Sequence, residues 1–499
     1  MDNSNNNIAL IIGAGPSGLA CAYELIEKSS IKPVIIEKLP CVGGLSRTVY
    51  KDGLGVDIGG HRLYTNDEYV KSVWFKFLNI QGEKSIDDIL SKRDNIYPKN
   101  GLNPSEIDDV MLIRKRFSSI IYNSKFFPYP LKISFDTFLK LGIITSFKAG
   151  LSYFKSLIFK RKEITLEDFM INRFGEVLYS IFFKDYTKKV WGIDASKMPC
   201  EWGHQRIRKL SLLKTVLNSV LSNFKFLKFK KETSLIDEFY YPKFGCSQLW
   251  GLMADYIVKK GGKIILNSEF VDFNCHENKI LSVRYKNELG NIEEIPAQYA
   301  ISSIPIKDLI KGVDAPYDIK QDALNLPYRD YILVSFYLDD FKIKNNTNYK
   351  TVNNITPDCW IYIQQKEAIV ARMQIMNNWS PYLVKQFDKK YLVSLEYFAN
   401  EGDDFWSKTD KEIIELASFE AEKFNLFDKK DIIDSFVVRQ KYAYPVYCGT
   451  YKNIDKIKNH LMRYSNLYLI GRNGQHKYNN MDEAMVCGIN IARDIIENG

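Results

Sequence analysis

The chain has 499 residues, which is too many for one compact core, so we expect two or three domains. Its 45% hydrophobic and 26% charged residues are typical of a globular protein and exclude a disordered or fibrous one. We attribute the modest net charge of +9 to a lysine-rich surface, and we expect no nucleic-acid partner. None of the eight cysteines forms a CxxC pair, so we expect neither a disulfide framework nor a metal site.

The N-terminus is polar and runs directly into an apolar segment, without the pattern of a signal peptide. No stretch contains the run of about 18 uncharged apolar residues that a transmembrane helix needs. We therefore expect a reduced, cytoplasmic protein without a transmembrane helix.

The first predicted elements form a strand–helix–strand unit. Residues 8–12 are continuously apolar, as a strand buried on both faces requires. A glycine-rich turn follows, then a helical pattern from Pro16 to about Glu27. Residues 33–37 form a second apolar strand that ends at Glu37. This order predicts a parallel sheet that begins at the N-terminus.

The turn has the sequence GAGPSG, which is the fingerprint of a dinucleotide-binding fold. Gly13 permits the tight turn, Gly15 admits a pyrophosphate to the backbone, and Gly18 lets the helix pack against the strand. The helix N-terminus offers free N–H groups to the phosphates. Glu37 can accept hydrogen bonds from the ribose hydroxyls. The predicted cofactor contacts at this end are Gly13, Gly15, Pro16, Ser17, Gly18, Glu37 and Lys38.

Further glycine loops make FAD the expected cofactor, because a nicotinamide dinucleotide would not normally need loops immediately after the ribose acid. One pair of glycines follows Glu37 closely, and a second pair precedes His61. Near the C-terminus, GRNG follows an apolar strand and precedes a helix whose N-terminus can face the flavin pyrimidine. No second GxGxxG occurs, so we expect no separate NAD domain. The further predicted contacts are Gly43, Gly44, Leu45, Ser46, Gly60, His61, Val271, Gly471, Arg472, Asn480 and Met481.

Together these patterns predict an α/β fold: a Rossmann-like FAD-binding domain, a helical insertion and an antiparallel-sheet substrate domain. We expect helices near 247–259 and 410–424 and from Asp482 onward, and strands near 263–267 and 467–470. The predicted parts are an FAD-binding domain made of 1–80, 240–310 and 437–499, a mostly helical cap region at 81–239, and the antiparallel sheet at 311–436.

Four segments resemble the flavoprotein superfamily of UDP-galactopyranose mutases, protoporphyrinogen oxidases and amine oxidases, and are most similar to the mutases. The loop GHRLYT is similar to the mutase loop in which a histidine lies beside the flavin, and YTKKVWGID is similar to a mutase segment that a basic patch follows. The sequence AYPVY resembles a tyrosine segment near the substrate. The segments lie at 60–65, 186–194 with 205–208, 443–447 and 471–482.

The resemblance implies a redox-neutral isomerase of a nucleotide-diphosphate sugar, in cell-surface polysaccharide synthesis. Reduced flavin would act as the nucleophile, and NAD(P)H or another external reductant would keep it reduced. Planar arginine groups suit the diphosphate leaving group, although arginines in helices are also ordinary surface charges. The implied catalytic residues are His61, Arg206, Arg329, Tyr444 and Tyr447, and the implied substrate contacts are Trp191, Arg206, Arg208, Tyr444 and Tyr447.

Two alternatives stay open. An FAD-dependent oxidoreductase that acts on an amine, a porphyrinogen or a polyene would share the same glycine loops. In addition, residues 111–162 mix Phe, Leu and Ile with many Lys and Arg, as does FKFLKFKK at 224–231. This composition suits a surface that lies on a membrane, or amphipathic helices around a substrate cleft. We favour the cleft.

Overall fold

The computed structural model describes residues 7–131, 135–206 and 238–498. Its centre is a five-stranded sheet in which every neighbouring pair is parallel. The strands are almost wholly apolar because helices and loops cover both faces. In spatial order they are Lys263–Ile265, Lys32–Ile36, Ile8–Ile12, Tyr299–Ser302 and Leu467–Leu469. Segments from the start, middle and end of the chain therefore share one sheet, and the predicted Rossmann-like α/β class is confirmed.

The helix Pro16–Lys28 leaves the glycine turn and lies against the C-terminal helix Met481–Asn498. Proline at its first position suits the helix, because its fixed φ is helical and its missing N–H would have no partner there. A Cβ atom placed on Gly488 would lie 2.1 Å from the carbonyl oxygen of Ser17. Only glycine allows the two helix backbones to approach so closely.

A seven-stranded sheet forms the second layer, with its own apolar core. All neighbouring strands are antiparallel except Trp360–Ile363 and Ser118–Tyr122, which are parallel. In spatial order the strands are Ile432–Pro445, Tyr328–Leu338, Tyr391–Ala399, Arg372–Ile375, Trp360–Ile363, Ser118–Tyr122 and Lys125–Pro128. This sheet contains the antiparallel strands that the sequence predicts within 311–436, and a hairpin from earlier in the chain extends it. Its edge strand Ile432–Pro445 crosses the predicted boundary at 436, because one continuous strand spans it.

The expectation of mostly helical structure after residue 81 is wrong for residues 110–128. Three strands occur there, Val110–Lys115, Ser118–Tyr122 and Lys125–Pro128. Asn123 and Ser124 have φ of 48° and 59°, as a two-residue hairpin turn requires. The β-branched and aromatic residues on either side favour strands, and the lysines among them obscure that preference.

The other elements surround these two sheets. The other α-helices of the described residues are Glu68–Phe77, Ile86–Leu90, Phe135–Leu141, Ile143–Ile158, Leu166–Tyr179, Asp185–Trp191, Glu201–Arg206, Cys246–Lys259, Ile306–Leu309, Tyr317–Leu324, Met376–Trp379, Asp410–Lys423, Ile454–Leu461 and Gly471–Gly474. The smaller sheets pair Thr48–Lys51 with Leu54–Asp57, Asn79–Ile80 with Val110–Lys115 and Glu238–Pro242, and Glu269–His276 with Lys279–Lys286 and Ile292–Pro296. Within the described ranges, no helix has the length and apolarity needed to cross a bilayer.

Candidate functional site

Two positions of the first glycine turn can be occupied only by glycine. Gly13 has φ of +104°, and its N–H donates to the carbonyl of Ile36 at 2.8 Å. A Cβ atom on Gly13 would lie 2.3 Å from Oγ of Ser303. A Cβ atom on Gly18 would lie 2.1 Å from the carbonyl oxygen of Gly13. These two glycines are therefore needed by the fold itself.

Gly15 differs, because the space in front of it is open. A Cβ atom there would meet only Cα of Gly44, at 4.0 Å, and the residue has an ordinary φ of −75°. Gly44 in turn approaches Gly15 closely, since its own Cβ atom would lie 3.1 Å from Cα of Gly15. No side chain caps the N-terminus of the helix Pro16–Lys28. The backbones of Gly15 and Gly44, which carry no side chains, and the uncapped helix N-terminus thus form a cradle suited to a diphosphate.

Glu37 closes one end of this cradle. One carboxylate oxygen accepts from the N–H of Ala14 at 2.7 Å, and the other accepts from Leu39 at 2.9 Å. Burial raises the pKa of this carboxyl. The neighbouring Lys38 is exposed and forms an ion pair with Glu269 at 2.6 Å, in the strand that carries Val271. Each carboxylate oxygen keeps a lone pair for a ribose hydroxyl.

The C-terminal glycine loop packs directly on this turn. Gly471 has φ of +70°, and a Cβ atom there would lie 2.3 Å from Oγ of Ser17. A Cβ atom on Gly474 would lie 2.5 Å from the carbonyl oxygen of Ser302. The two ends of the chain therefore meet at one site, as the cofactor prediction required.

Arg472 links two further segments of the site. Its Nη1 donates to the carbonyl of Ala443 at 2.9 Å, and its Nη2 donates to that of Asn479 at 2.7 Å. The guanidinium lies 4.5 Å from the ring centre of Tyr478 and 5.5 Å from that of Tyr444. No carboxylate of the described residues forms an ion pair with it. Arg472 thus adds positive charge that no ion pair neutralises.

His61 is held neutral beside this charge. Its Nδ1 lies 3.9 Å from Oδ2 of Asp57 and has no hydrogen-bond partner among the described residues. Burial, and then the positive charges of Arg472 and Arg372, lower the pKa of His61 to about 3. Burial raises the pKa of Asp57 to about 6, while hydrogen bonds from Thr48 and Tyr241 oppose that rise. The ring is therefore uncharged at neutral pH.

Aromatic side chains line the space near Tyr444. Trp191 is buried, and its ring meets that of Trp202 edge to face at 5.0 Å and that of Tyr444 at 5.8 Å. Tyr478 lies parallel to Tyr444 with 6.0 Å between ring centres. The OH of Tyr447 accepts from the N–H of Tyr478 at 2.7 Å. The structure thus brings Trp191, Tyr444 and Tyr447 together near the C-terminal loop.

Sequence reasoning missed a buried pair in the same region. Arg372 forms an ion pair with Glu396, and its Nη2 donates to the OH of Tyr444 at 3.3 Å. Its guanidinium lies 4.6 Å from the ring centre of Trp360 and 4.7 Å from that of Phe398. The pair joins adjacent strands, and no local motif marks it. A glutamate amid the apolar residues of the strand Tyr391–Ala399 is the one available signal.

Arg329 is tied to the backbone. Its Nε donates to the carbonyl of Val190 at 3.1 Å, and its Nη2 donates to that of Phe398 at 2.9 Å. It therefore fixes the end of the helix Asp185–Trp191 against the seven-stranded sheet. Burial lowers its pKa, although the group stays charged. A direct contact of Arg329 with substrate stays a prediction.

The remaining predicted residues lie at the edges of the site. Ser46 donates to the carbonyl of Gly43 at 2.9 Å, within the short turn that includes Leu45. The N–H of Asn480 donates to Glu483 at 2.8 Å, and Met481 begins the C-terminal helix. Arg206 is the last residue of the helix Glu201–Arg206, and its side chain lies outside the described part. Arg208 lies wholly outside the described residues.

Residues 16–496 match the model of the flavin containing amine oxidoreductase family, and the chain belongs to that family. Its fold is similar to that of a reduced UDP-galactopyranose mutase, with a TM-score of 0.76 and 19% identity over 99% of this chain and 96% of that one. A protein from an Exiguobacterium species assigned as a protoporphyrinogen oxidase is 12% identical over the full length of both chains, with a TM-score of 0.66. A putrescine oxidase variant is 13% identical over 99% of each chain, with a TM-score of 0.58.

The family makes the chain a flavoenzyme, and the open cradle at Gly15 and Gly44 fits FAD. When bound, the flavin supplies the electron-rich ring system at which the chemistry takes place. The protein would hold it with the cradle at Gly15 and Gly44, the carboxylate of Glu37 and the neutral, partly buried ring of His61.

We expect the purified protein to be yellow and Gly15→Ala to weaken FAD binding by at least about tenfold, because a methyl group would occupy the diphosphate position. The melting temperature of the apo-protein should stay near wild type, since the protein itself leaves room there. Gly18→Ala should lower both the FAD affinity and the melting temperature of the apo-protein, because its methyl group would collide with the Gly13 carbonyl. Gly251→Ala is the matched control, with no atom within 4 Å of its Cβ. Fluorescence titration with FAD and thermal melts would measure this; equal FAD affinity in Gly15→Ala would contradict the cradle.

A second prediction concerns pH and His61. Because the folded pKa of His61 lies far below its ordinary value of 6.5, its contribution to stability is present at neutral pH and declines as the pH falls. Between pH 7 and pH 5 this loss is about 2 kcal/mol. The raised pKa of Asp57 acts with the opposite sign in the same range. Relative to wild type, His61→Asn should therefore gain about 2 kcal/mol of unfolding free energy between pH 7 and pH 5. Urea unfolding at both pH values measures this, and parallel changes in the two proteins would refute a neutral buried His61.

Proposed function

We propose that this flavoenzyme isomerises a nucleotide-diphosphate sugar without net redox change, in the manner of a UDP-galactopyranose mutase, in the cytoplasmic stages of cell-surface polysaccharide synthesis. The observation that carries the proposal is the charge of the site. Arg472 and Arg329 have backbone carbonyls as hydrogen-bond partners, and no carboxylate of the described residues pairs with either. Arg372 adds a third guanidinium, which Glu396 neutralises.

This charge bears on the choice of substrate class. Burial is the main cause of the lowered pKa of His61, and the charges of Arg472 and Arg372 lower that pKa further because they repel a proton at the ring. The same potential attracts a diphosphate and repels the ammonium group of an amine. It therefore favours an anionic substrate over the cationic amines on which an amine oxidase acts. An anionic porphyrinogen would be attracted as well. Whether turnover consumes an electron acceptor therefore distinguishes a nucleotide-sugar isomerase from a porphyrinogen oxidase.

The residues have distinct roles in this proposal. Arg206 and Arg208 would hold the diphosphate through paired hydrogen bonds, and Trp191, Tyr444 and Tyr447 would enclose the nucleoside and sugar. Arg329 would act as a positioning residue, because it fixes the helix end that carries Trp191. Neutral His61 would neither add charge beside the flavin nor donate a proton readily at neutral pH. Reduced FAD would supply the nucleophile, with NAD(P)H or another donor as the source of its electrons.

The redox balance distinguishes isomerase from oxidase. We expect dithionite-reduced protein to convert UDP-galactopyranose or another UDP-hexose through many turnovers, without consuming reductant or oxygen in proportion to product. Chromatography of the sugar nucleotides and an oxygen electrode would measure both quantities in one reaction. The oxidised protein is the control and should be inactive. One oxygen or other acceptor consumed per product would instead establish the oxidoreductase alternative.

The arginine patch can be tested separately by UDP binding. Arg206→Ala should weaken UDP binding by about 1.5–3 kcal/mol, the scale of a hydrogen bond to a charged group. Arg206→Lys should retain only part of the UDP affinity, because lysine lacks the planar, forked guanidinium group of arginine. Arg284→Ala is the matched control, since its guanidinium pairs with Asp272 on the surface. Calorimetry gives the affinity and the flavin spectrum reports an intact cofactor site; equal UDP binding by wild type and Arg206→Ala would remove this residue from the substrate site.

A further inference from the structure

The helix Ile143–Ile158 exposes a continuous apolar face. Six of its large apolar side chains are between 57% and 74% exposed, and they recur at the spacing of one helix face. They are Ile143, Ile144, Phe147, Leu151, Phe154 and Ile158. Phe159 continues the exposed surface beyond the helix end. These residues form the exposed apolar face. The expectation that this segment surrounds a substrate cleft stays a prediction.

The opposite side of the helix is the side that packs. Ala149 and Ser156 are buried, and Oγ of Ser152 accepts from the N–H of Val177 at 3.2 Å. A Cβ atom on Gly175 would lie 2.8 Å from the backbone nitrogen of Tyr153, so the partner helix approaches the backbone itself. Successive residues lie about 100° apart around a helix, which puts these small residues opposite the exposed apolar face. The polarity is thus the reverse of an ordinary surface helix, which buries its large apolar residues.

The charged residues of the segment 143–162 are all basic, although Arg161 forms ion pairs at 3.8 Å with Asp168 and Glu176 of the helix that follows. Between residues 143 and 162 there are five lysines and arginines and no acidic residue. Lys148 and Lys155 are exposed on the helix, and residues 160–162 form an exposed basic cluster just after it. Large exposed apolar side chains beside exposed cations are the composition of helices that lie in a bilayer interface.

We propose that the exposed apolar face docks on an anionic lipid bilayer, with the helix parallel to the surface and its Phe, Ile and Leu side chains in the interface. Three partners could cover this face: a second copy of the chain, the segment 224–231, or a lipid bilayer. Charge complementarity favours the bilayer. A second copy of this face would bring five further cations against these five. The segment 224–231, FKFLKFKK, carries four lysines and no acid, so it also lacks complementary charge. Anionic headgroups supply that charge, and acyl chains accept the apolar side chains.

The test is sedimentation of the full-length holoenzyme with vesicles of phosphatidylcholine, with or without phosphatidylglycerol. We expect binding to the mixed vesicles, weaker binding to pure phosphatidylcholine, and a loss of binding as salt rises. Phe147→Asp with Phe154→Asp should reduce partitioning by at least about tenfold. Leu289→Asp with Tyr317→Asp is the matched control, because those side chains are 84% and 80% exposed on other elements. The control should bind like wild type.

Lys148→Glu with Lys155→Glu should abolish the preference for phosphatidylglycerol. Flavin absorbance and the melting temperature should match wild type in each variant, since every substituted side chain is exposed. Failure of the wild type to bind mixed vesicles, or equal binding by the aspartate pair, would overturn the proposal. Dimers that the aspartate pair dissolves would make a second copy the occupant. A lower melting temperature in that pair alone would mean that the chain itself covers the face.

Discussion

The site depends on the close contact between the two ends of the chain at Ser17. A Cβ atom on Gly471 would strike its side chain, and one on Gly488 would strike its carbonyl oxygen. Positions 471 and 488 must therefore be glycine for the C-terminal loop and helix to pack on the first turn. The sheet beneath the cradle also contains strands from the middle and the end of the chain, so the cradle is built on segments that are far apart in sequence.

Arginines give the substrate side its shape through bonds to backbone carbonyls. Arg472 joins the tyrosine segment to the loop before the C-terminal helix, and Arg329 joins the end of the helix Asp185–Trp191 to the seven-stranded sheet. Carbonyl partners satisfy the donors without cancelling the charge. The same bonds that hold the segments together therefore leave these two guanidinium groups charged. Burial, and after it the charges of Arg472 and Arg372, lowers the pKa of His61, so its ring stays neutral although it lies only 3.9 Å from the carboxylate of Asp57.

The sequence predicted those parts that depend on neighbours along the chain. The helix expected near 410–424 is Asp410–Lys423, where Thr409 and Glu412 form a capping box. The two terminal glycine loops were found because close backbone approach demands glycine. The pair Arg372 and Glu396 was not found, because its members lie 24 residues apart and meet only when two strands pair. The hairpin at 118–128 was missed because the basic residues in and around it obscured the strand preference of its β-branched and aromatic residues.

The helix Ile143–Ile158 shows that a sequence pattern can predict an amphipathic helix without predicting which of its faces is buried. An amphipathic period indicates that one face of the helix is apolar, and in most surface helices that face is buried. Here the small residues Ala149, Ser152 and Ser156 make the close contact, since Gly175 admits the helix backbone itself. Close packing between helices rewards small side chains on the contact face, and large ones there would hold the two backbones apart. The direction of an amphipathic helix is thus decided by its partner, and the partner glycine lies 17 residues beyond the helix end.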